Sequence, residues 1–253
     1  MLPAVFVSHG SPTLPFDVVP ARDFLRGLGV RLGTPKAVLA VSAHWDTPSV
    51  TVTAAAHNDT ISDFYGFPKL LYQLRYNAPG APPLAGRAVS LLTNAGLRAS
   101  VDTARGLDHG AWVPLMLMYP RADIPTLQLS VQSTAGAAHH VALGRALAPL
   151  REEGVLILGS GGFVHNLRMV DWNGGAEPDW SRLFSKWMDE KLVARDDTEL
   201  VAYRSRAPYA AQAHPTEEHL MPLFVAYGAG GAVERLYAGA TFGSLRMDAY
   251  AFA

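Results

Sequence analysis

The chain of 253 residues contains no cysteine. Disulfide bonds and thiolate ligands are therefore excluded, and a metal site would have to use histidine, carboxylate or backbone oxygen. Charged residues are also few, at 17%, and the formal net charge is only -1. Because lysine and arginine form no cluster, the sequence does not show the basic patch typical of nucleic-acid binding, and we expect no nucleic-acid partner.

Long apolar segments are missing as well. No run approaches the roughly 18 apolar residues of a membrane span. The apolar start of the chain has no basic residue and is too short for a secretory signal. We therefore expect no membrane partner and a cytoplasmic location. Hydrophobic residues nevertheless make up 49% of the chain, which is enough for a sizeable core.

Four short apolar runs predict strands that are covered on both faces. They comprise residues 5–7, 37–41, 126–131 and 155–158. Apolar residues at helical spacing predict helices over residues 84–95, 140–150, 180–193 and 217–227. This alternation predicts one α/β domain over residues 1–253, with a central, largely parallel or mixed sheet flanked by helices.

Two histidines stand at the ends of predicted strands, where sites form in open α/β sheets. His9 follows the first strand and precedes Gly10, a residue that permits a tight turn. His44 follows the second strand, and Asp46 could either orient its imidazole or cap the next segment. Either histidine could instead only bond to its own loop, so position alone leaves both interpretations open.

Three further histidines have a local context that suits a cleft. His109 lies between an aspartate and a glycine ahead of a helix-like run, although that aspartate could equally cap the helix and leave His109 exposed. His165 follows a glycine-rich strand end that fits neither a P-loop nor a dinucleotide-binding fingerprint. His214 precedes the predicted start of the last helix. We expect the remaining four to be solvated or structural: His57, His139, His140 and His219.

Several imidazoles without thiolates suit Fe(II), Zn(II), Mn(II) or Cu(II). Non-haem Fe(II) oxygenases commonly use two histidines and one carboxylate, whereas three histidines on zinc activate a water molecule. The ligand types alone therefore leave both O2 chemistry and hydrolysis open.

Six segments, in this order, resemble the class III extradiol dioxygenases, and in particular the bacterial and plant DOPA 4,5-dioxygenase-like branch. The resemblance spans nearly the whole chain. The segments are Ser-His-Gly-Ser-Pro (8–12), Ser-Ala-His-Trp (42–45), Asp-Phe-Tyr-Gly-Phe-Pro (63–68), Leu-Asp-His-Gly-Ala-Trp-Val-Pro-Leu (107–115), Gly-Ser-Gly-Gly-Phe-Val-His-Asn-Leu (159–167) and Ala-His-Pro-Thr-Glu-Glu-His-Leu-Met-Pro-Leu (213–223).

The resemblance implies a role for eight residues. One divalent metal ion is expected, Fe(II) for activity, although Zn(II) can occupy the same site. The implied ligands are His9, His44 and His214; the implied catalytic residues are His165, as acid and base, and His109, near substrate and O2; the implied substrate-binding residues are Phe64, Tyr65 and Ser11.

One position departs from the wider family. The protocatechuate-cleaving branch carries a glutamate where this chain is expected to use His214. Glu217 and Glu218 lie nearby but do not align with that glutamate.

The implied function is the opening of a small catechol ring, such as that of DOPA, with O2 to give a semialdehyde acid. Two other functions use the same residues: a zinc-dependent hydrolase, and a non-catalytic metal-binding protein on the same fold. Zinc has no redox chemistry, so a need for Fe(II) and consumption of O2 distinguish the dioxygenase from the hydrolase. An acid/base pair at His109 and His165 argues against a pure binding protein.

Overall fold

The computed structural model describes all 253 residues, and its centre is one mixed sheet of eight strands. The strand order is β4-β3-β5-β2-β6-β1-β10-β7. The strands are β1 (Ala4–Ser8), β2 (Ala37–Asp46), β3 (Val50–Thr53), β4 (Ala99–Asp102), β5 (Thr126–Val131), β6 (Val155–Gly161), β7 (Val233–Tyr237) and β10 (Ala249–Phe252); β8 (Ala240–Thr241) and β9 (Leu245–Arg246) form a separate hairpin.

The middle of the sheet is parallel. Strand β6 pairs in parallel with β1 on one side and with β2 on the other, and β2 pairs in parallel with β5. Strand β10 runs antiparallel to β1, and β3 runs antiparallel to β5. The predicted sheet with a parallel core is confirmed, and its four predicted strands are β1, β2, β5 and β6.

Helices cover both faces of this sheet. They are α1 (Pro20–Leu32), α2 (Pro82–Asn94), α3 (His109–Met118), α4 (Gly136–Leu147), α5 (Asp179–Val193), α6 (Asp197–Val201), α7 (Tyr203–Arg206), α8 (Ala210–Ala213) and α9 (Met221–Ala229). Side chains alternate along β1, so that Phe6 enters one apolar core while Val5 and Val7 enter the other. The predicted flanking helices are therefore confirmed. No helix is long and apolar enough to cross a membrane, and the cytoplasmic location stays a prediction.

The last predicted helix begins later than the sequence pattern indicated. Residues 215–220 form bends and turns, and α9 starts only at Met221 with Pro222 in its first turn. Proline has no N–H and favours the first turn of a helix, so Pro222 marks the start that the apolar spacing missed. His219 consequently lies in a turn before the helix, not on its surface.

Helices α4 and α9 pack with almost no space between their backbones. A Cβ atom on Gly144 would collide with the carbonyl of Val225. Gly86, in the middle of α2, is exposed and has no atom within 4 Å of a built Cβ. These two helical glycines therefore have opposite environments.

We expect opposite effects of alanine at these two positions on the free energy of unfolding. Gly144→Ala should destabilise the protein by about 1–3 kcal/mol through overpacking. Gly86→Ala should stabilise it by about 0.5–1 kcal/mol, because glycine is a poor helix former. Urea unfolding followed by circular dichroism measures both values, and a shift of the same sign in both variants would contradict this account of the α4–α9 contact.

Candidate metal centre and active site

Neighbouring strands bring two histidines to one edge of the sheet. His9 follows β1, His44 lies near the carboxyl end of β2, and β6 runs between these two strands. The backbone N–H of His9 donates to the carbonyl of Gly161, at the end of β6, over 3.0 Å. The Nε2 atoms of His9 and His44 are 3.1 Å apart. The two strand-end histidines therefore meet as the fold class predicted.

His109 joins this pair from the start of α3. Its ring centroid is 3.9 Å from that of His44, and one ligand atom from each of His9, His44 and His109 lies within 4.8 Å of the others. Asp108 caps the helix by accepting from the N–H of Ala111 at 3.2 Å. Asp108 thus caps the helix and His109 nevertheless faces inward. The resulting group of three imidazoles could hold a metal ion.

Asp63 orients this group. Its carboxylate accepts from the backbone N–H of His109 at 2.8 Å and from Nδ1 of the same residue at 2.9 Å. It also lies 3.5 Å from Nδ1 of His44. Burial alone would raise the pKa of Asp63, but the hydrogen bonds from His109 outweigh it and lower the pKa. Asp63 therefore stays ionised beside two imidazoles, as carboxylates beside metal-binding histidines commonly do.

Asp46 does not have the orienting role that the sequence allowed. Its carboxylate accepts from the backbone N–H of Ser133 at 3.0 Å and from the hydroxyl of the same serine. Asp46 thus binds the segment that follows β5, so it neither orients His44 nor caps the segment that follows it in the sequence. Asp63 was visible in the sequence only as part of the Asp-Phe-Tyr-Gly-Phe-Pro segment, with no pattern to connect it to His44.

A second group lies next to the first. It contains His165, Glu218 and His219, whose ligand atoms lie within 4.8 Å of one another. The rings of His165 and His219 stack with centroids 3.4 Å apart and planes at 8°. The ring centroid of His219 is 4.9 Å from that of His44 and 5.6 Å from that of His9. His219, which was expected on a helix surface, is therefore buried at the centre of the site.

His214 lies apart from both groups. Its ring is fully buried against Phe184, and its Nε2–H donates to the carbonyl of Phe163 at 3.1 Å. It does not line the cavity that the other histidines face. The neighbouring carbonyl of Ala213 accepts from the backbone N–H of His165 at 3.0 Å. The structure thus places His214 behind the loop that carries His165 and does not bring it together with His9 and His44.

Burial keeps four of the cavity histidines neutral. It lowers the pKa of His44 to about 4 and that of His165 to about 4, with further lowering by the neighbouring imidazoles. Burial, with the same neighbours, also holds the pKa of His9 and of His219 well below the usual value. Neutral imidazoles keep a lone pair, and this is the form that binds a metal ion.

Hydrogen bonds determine which ring nitrogen is unprotonated in His9 and in His219. The hydroxyl of Ser160 donates to the carbonyl of Gly110, so it accepts from Nδ1–H of His9 at 3.2 Å. The carboxylate of Glu218 accepts from Nδ1–H of His219 at 2.9 Å. In both rings Nε2 is therefore the unprotonated nitrogen. Nε2 of His219 is buried without any hydrogen-bond partner.

The residues present fit a divalent ion. Two nitrogens bound to one ion at about 2.0–2.1 Å, with angles between octahedral and tetrahedral, lie roughly 2.9–3.4 Å apart. The observed 3.1 Å between Nε2 of His9 and Nε2 of His44 falls in this range. An unpaired buried nitrogen costs about 1–3 kcal/mol, which an ion would recover at His219. Imidazole donors suit iron and zinc.

The histidines open into a cavity of about 420 Å³ with mainly apolar walls, a size typical of small-molecule sites. The three residues expected to bind substrate all line it: Ser11, Phe64 and Tyr65. Phe64 contacts His109 edge-on with centroids 5.7 Å apart, and Tyr65 is 92% exposed. Phe64 therefore borders the imidazoles, while Tyr65 stands at the solvent side.

Residues 4–248 match the family described as the catalytic LigB subunit of aromatic ring-opening dioxygenase, and the chain belongs to this family. It is 46% identical to the 4,5-DOPA dioxygenase extradiol of Beta vulgaris over 230 residues, which covers 89% of this chain and 86% of that protein. It is 42% identical to the protein of the same name from Escherichia coli K12 over 257 residues, covering 97% and 93% of the two chains.

A solved structure has the same fold. The crystal structure of an uncharacterized protein from Escherichia coli K12 matches with a TM-score of 0.83 and 36% identity, and the match covers 100% of both chains. The expected membership in the extradiol ring-opening dioxygenases is therefore confirmed. The protein is an enzyme of this class, and its reactants are an aromatic compound and O2.

We expect Asp63→Asn to weaken metal binding by about 10- to 100-fold, the usual loss when a residue that orients a ligand is changed. Asparagine keeps the shape of the side chain but loses the charge that faces His44 and His109. Competition between the metal-free protein and a chromogenic chelator for Zn(II) measures the affinity.

Asp46→Asn is the matched control, since it changes the same residue type at the end of β2 without contact to an imidazole. It should leave zinc affinity near the wild-type value. An equal loss in both variants would contradict the specific role of Asp63.

Proposed function

We propose that the protein is an Fe(II)-dependent extradiol dioxygenase that opens the ring of a small catechol such as DOPA with O2. The observation that carries the proposal is the convergence of neutral imidazoles on one wall of an apolar cavity of about 420 Å³. The names of the relatives from Beta vulgaris and Escherichia coli support DOPA as a substrate. The reaction needs no added reductant, because both atoms of O2 enter the ring-opened semialdehyde acid.

We propose His9, His44 and His219 as the three metal ligands. His9 and His44 were expected in this role, whereas His219 replaces the expected His214. The support is the place of His219 in the cavity wall, together with its unpartnered buried Nε2. Nδ1 of His214 is also unpartnered, but His214 does not line the cavity. The Nε2–H of His214, by contrast, donates to the Phe163 carbonyl outside the cavity. Bound Fe(II) would hold catechol and O2 side by side and let electrons pass between them.

His165 is the proposed acid and base. Its ring lines the cavity, and neither of its ring nitrogens takes part in a hydrogen bond within the protein. Stacking on His219 and the hydrogen bond from its backbone to Ala213 fix the ring beside the proposed ligands. It can therefore take a proton from a catechol hydroxyl and return it as the ring opens.

His109 borders the same space but is held differently. Its Nδ1–H donates to Asp63, which leaves Nε2 as the nitrogen available to the reactants. We propose that His109 positions substrate and O2 by hydrogen bonding. Phe64, in contact with the ring of His109, adds an apolar surface to this side of the cavity.

The ligand set predicts the metal content of matched glutamine variants. His219→Gln should lose most bound metal, as should His9→Gln and His44→Gln. His214→Gln should retain it, because the glutamine amide can still donate to the Phe163 carbonyl. Plasma emission spectrometry after Fe(II) or Zn(II) loading and desalting gives the stoichiometry. If His214→Gln loses its metal and His219→Gln retains it, His214 is the third ligand. If His109→Gln loses its metal and His219→Gln retains it, the third ligand is His109.

The reaction itself predicts a yellow semialdehyde product from DOPA or a simpler catechol when metal-free protein is loaded with Fe(II). Both atoms of ¹⁸O2 should enter the product. His165→Gln should keep its metal but turn over roughly 100- to 10,000-fold more slowly, the typical contribution of general acid–base catalysis. Activity with Zn(II) that consumes no O2, or label taken only from water, would identify a hydrolase and refute the proposal.

A further inference from the structure

Few charged side chains line the cavity, and they differ in whether an opposite charge within the protein pairs with them. Apart from histidines, Asp17 is the only acidic residue and Arg246 the only basic residue that line the cavity. The remaining wall consists of histidines, small residues and apolar side chains. A charged substituent on a bound molecule would therefore interact mainly with these two residues.

Arg246 is already neutralised within the protein. Its Nε and one terminal nitrogen donate to Asp248 at 2.7 and 2.9 Å, and its other terminal nitrogen donates to Glu177 at 3.0 Å. Arg235 pairs with the same Asp248 from the other side. The arginine thus belongs to a network in which two carboxylates offset its charge, and it offers little attraction to an anion in the cavity.

Asp17 has no such partner. No nitrogen of lysine, arginine or histidine lies within 4.0 Å of its carboxylate, in contrast to the paired acids of the surface. Its only hydrogen-bond donor is the hydroxyl of Thr13, which reaches Oδ2 at 2.9 Å. Oδ1 accepts no hydrogen bond. The carboxylate therefore brings a negative charge without an ion-pair partner to a largely apolar wall, where it can accept a hydrogen bond from a cation.

Asp17 is also held in a fixed relation to the proposed metal site. Because the carboxylate only accepts, the proton of Thr13 goes to Asp17, and Ser11 then donates to Thr13 over 3.0 Å. Backbone bonds from Leu14 to Ser11 at 2.9 Å and from Asp17 to Thr13 at 3.2 Å close the same turn. One compact segment therefore connects His9 to the carboxylate.

We propose that Asp17 determines substrate specificity by binding an ammonium group on the side chain of the catechol. The preferred substrates are then catechols with a cationic side chain, while a side chain with only a carboxylate is repelled. This inference rests on the proposed function, since it assumes that the diol lies at the imidazoles and that its side chain extends along the wall towards Asp17.

Four catechols with different side-chain charges test the assignment. They are dopamine, with an ammonium group; DOPA, with an ammonium and a carboxylate; 4-methylcatechol, with neither; and 3,4-dihydroxyphenylpropionate, with a carboxylate alone. Calorimetry under anaerobic conditions on the Fe(II)-loaded protein gives Kd, and O2 uptake gives kcat/KM. We expect dopamine and DOPA to bind more tightly than 4-methylcatechol, and dihydroxyphenylpropionate to bind most weakly.

The decisive quantity is the preference for dopamine over 4-methylcatechol. Asp17→Asn keeps an oxygen that accepts from Thr13 but removes the charge, and should lower this preference by about 10- to 100-fold, as expected for a hydrogen bond to a charged group. It should also improve the relative binding of dihydroxyphenylpropionate. Asp23→Asn, on the exposed surface of α1, changes the net charge equally and should leave the preference as in the wild type.

The outcomes separate the two proposals. An unchanged preference in Asp17→Asn, or a wild-type protein that binds dopamine no more tightly than 4-methylcatechol, overturns the role of Asp17. The second comparison needs no variant and decides the matter if Asp17→Asn does not fold. If no catechol is cleaved although the anaerobic Kd values follow the expected order, the proposed oxygen chemistry fails while the assignment of Asp17 stands.

Discussion

The site depends on a close backbone contact between the end of β6 and the turn before α9. A Cβ atom on Gly161 would collide with the carbonyl of His219, and the N–H of Gly162 donates to that carbonyl at 2.9 Å. Only glycine leaves room for this approach. The contact sets His219 over the carboxyl end of the central parallel strand, between the strands that carry His9 and His44. A larger residue at position 161 would displace His219 and the His165 ring stacked on it.

Further contacts extend this attachment along both segments. The N–H of His165 donates to Ala213 at 3.0 Å, and the side chain of Asn166 donates to the carbonyl of Gln212 at 2.6 Å. His214 adds its hydrogen bond to Phe163. The loop after β6 and the turn before α9 therefore form one hydrogen-bonded unit. The proposed proton-transfer residue and the proposed third ligand occupy fixed relative positions because the same bonds hold both.

The role of a residue can be predicted from the sequence when its position is set by its immediate neighbours in the chain, and not when it is set by contacts with distant segments. His9 and His44 could be placed from the sequence because each directly follows an apolar run, and parallel strands end at the same edge. His214 and His219 could not be ranked by apolar spacing, since the choice depends on where α9 begins, and the relevant signal was Pro222. Asp63 lies outside any helix or strand and meets His109 across 46 positions of sequence. No local pattern encodes such a contact.

The two ends of the cavity favour opposite charges on a bound molecule. A divalent ion among neutral imidazoles has an excess of positive charge that Asp63 and Glu218, each bonded to the outer nitrogen of a histidine, offset only from a distance. A catechol that gives up a proton brings negative charge to this end. At the other end, the unpaired carboxylate of Asp17 favours a positive group. A molecule with an acidic diol and a cationic side chain matches both ends in one orientation only, so the same charges that bind it also direct the diol towards the imidazoles.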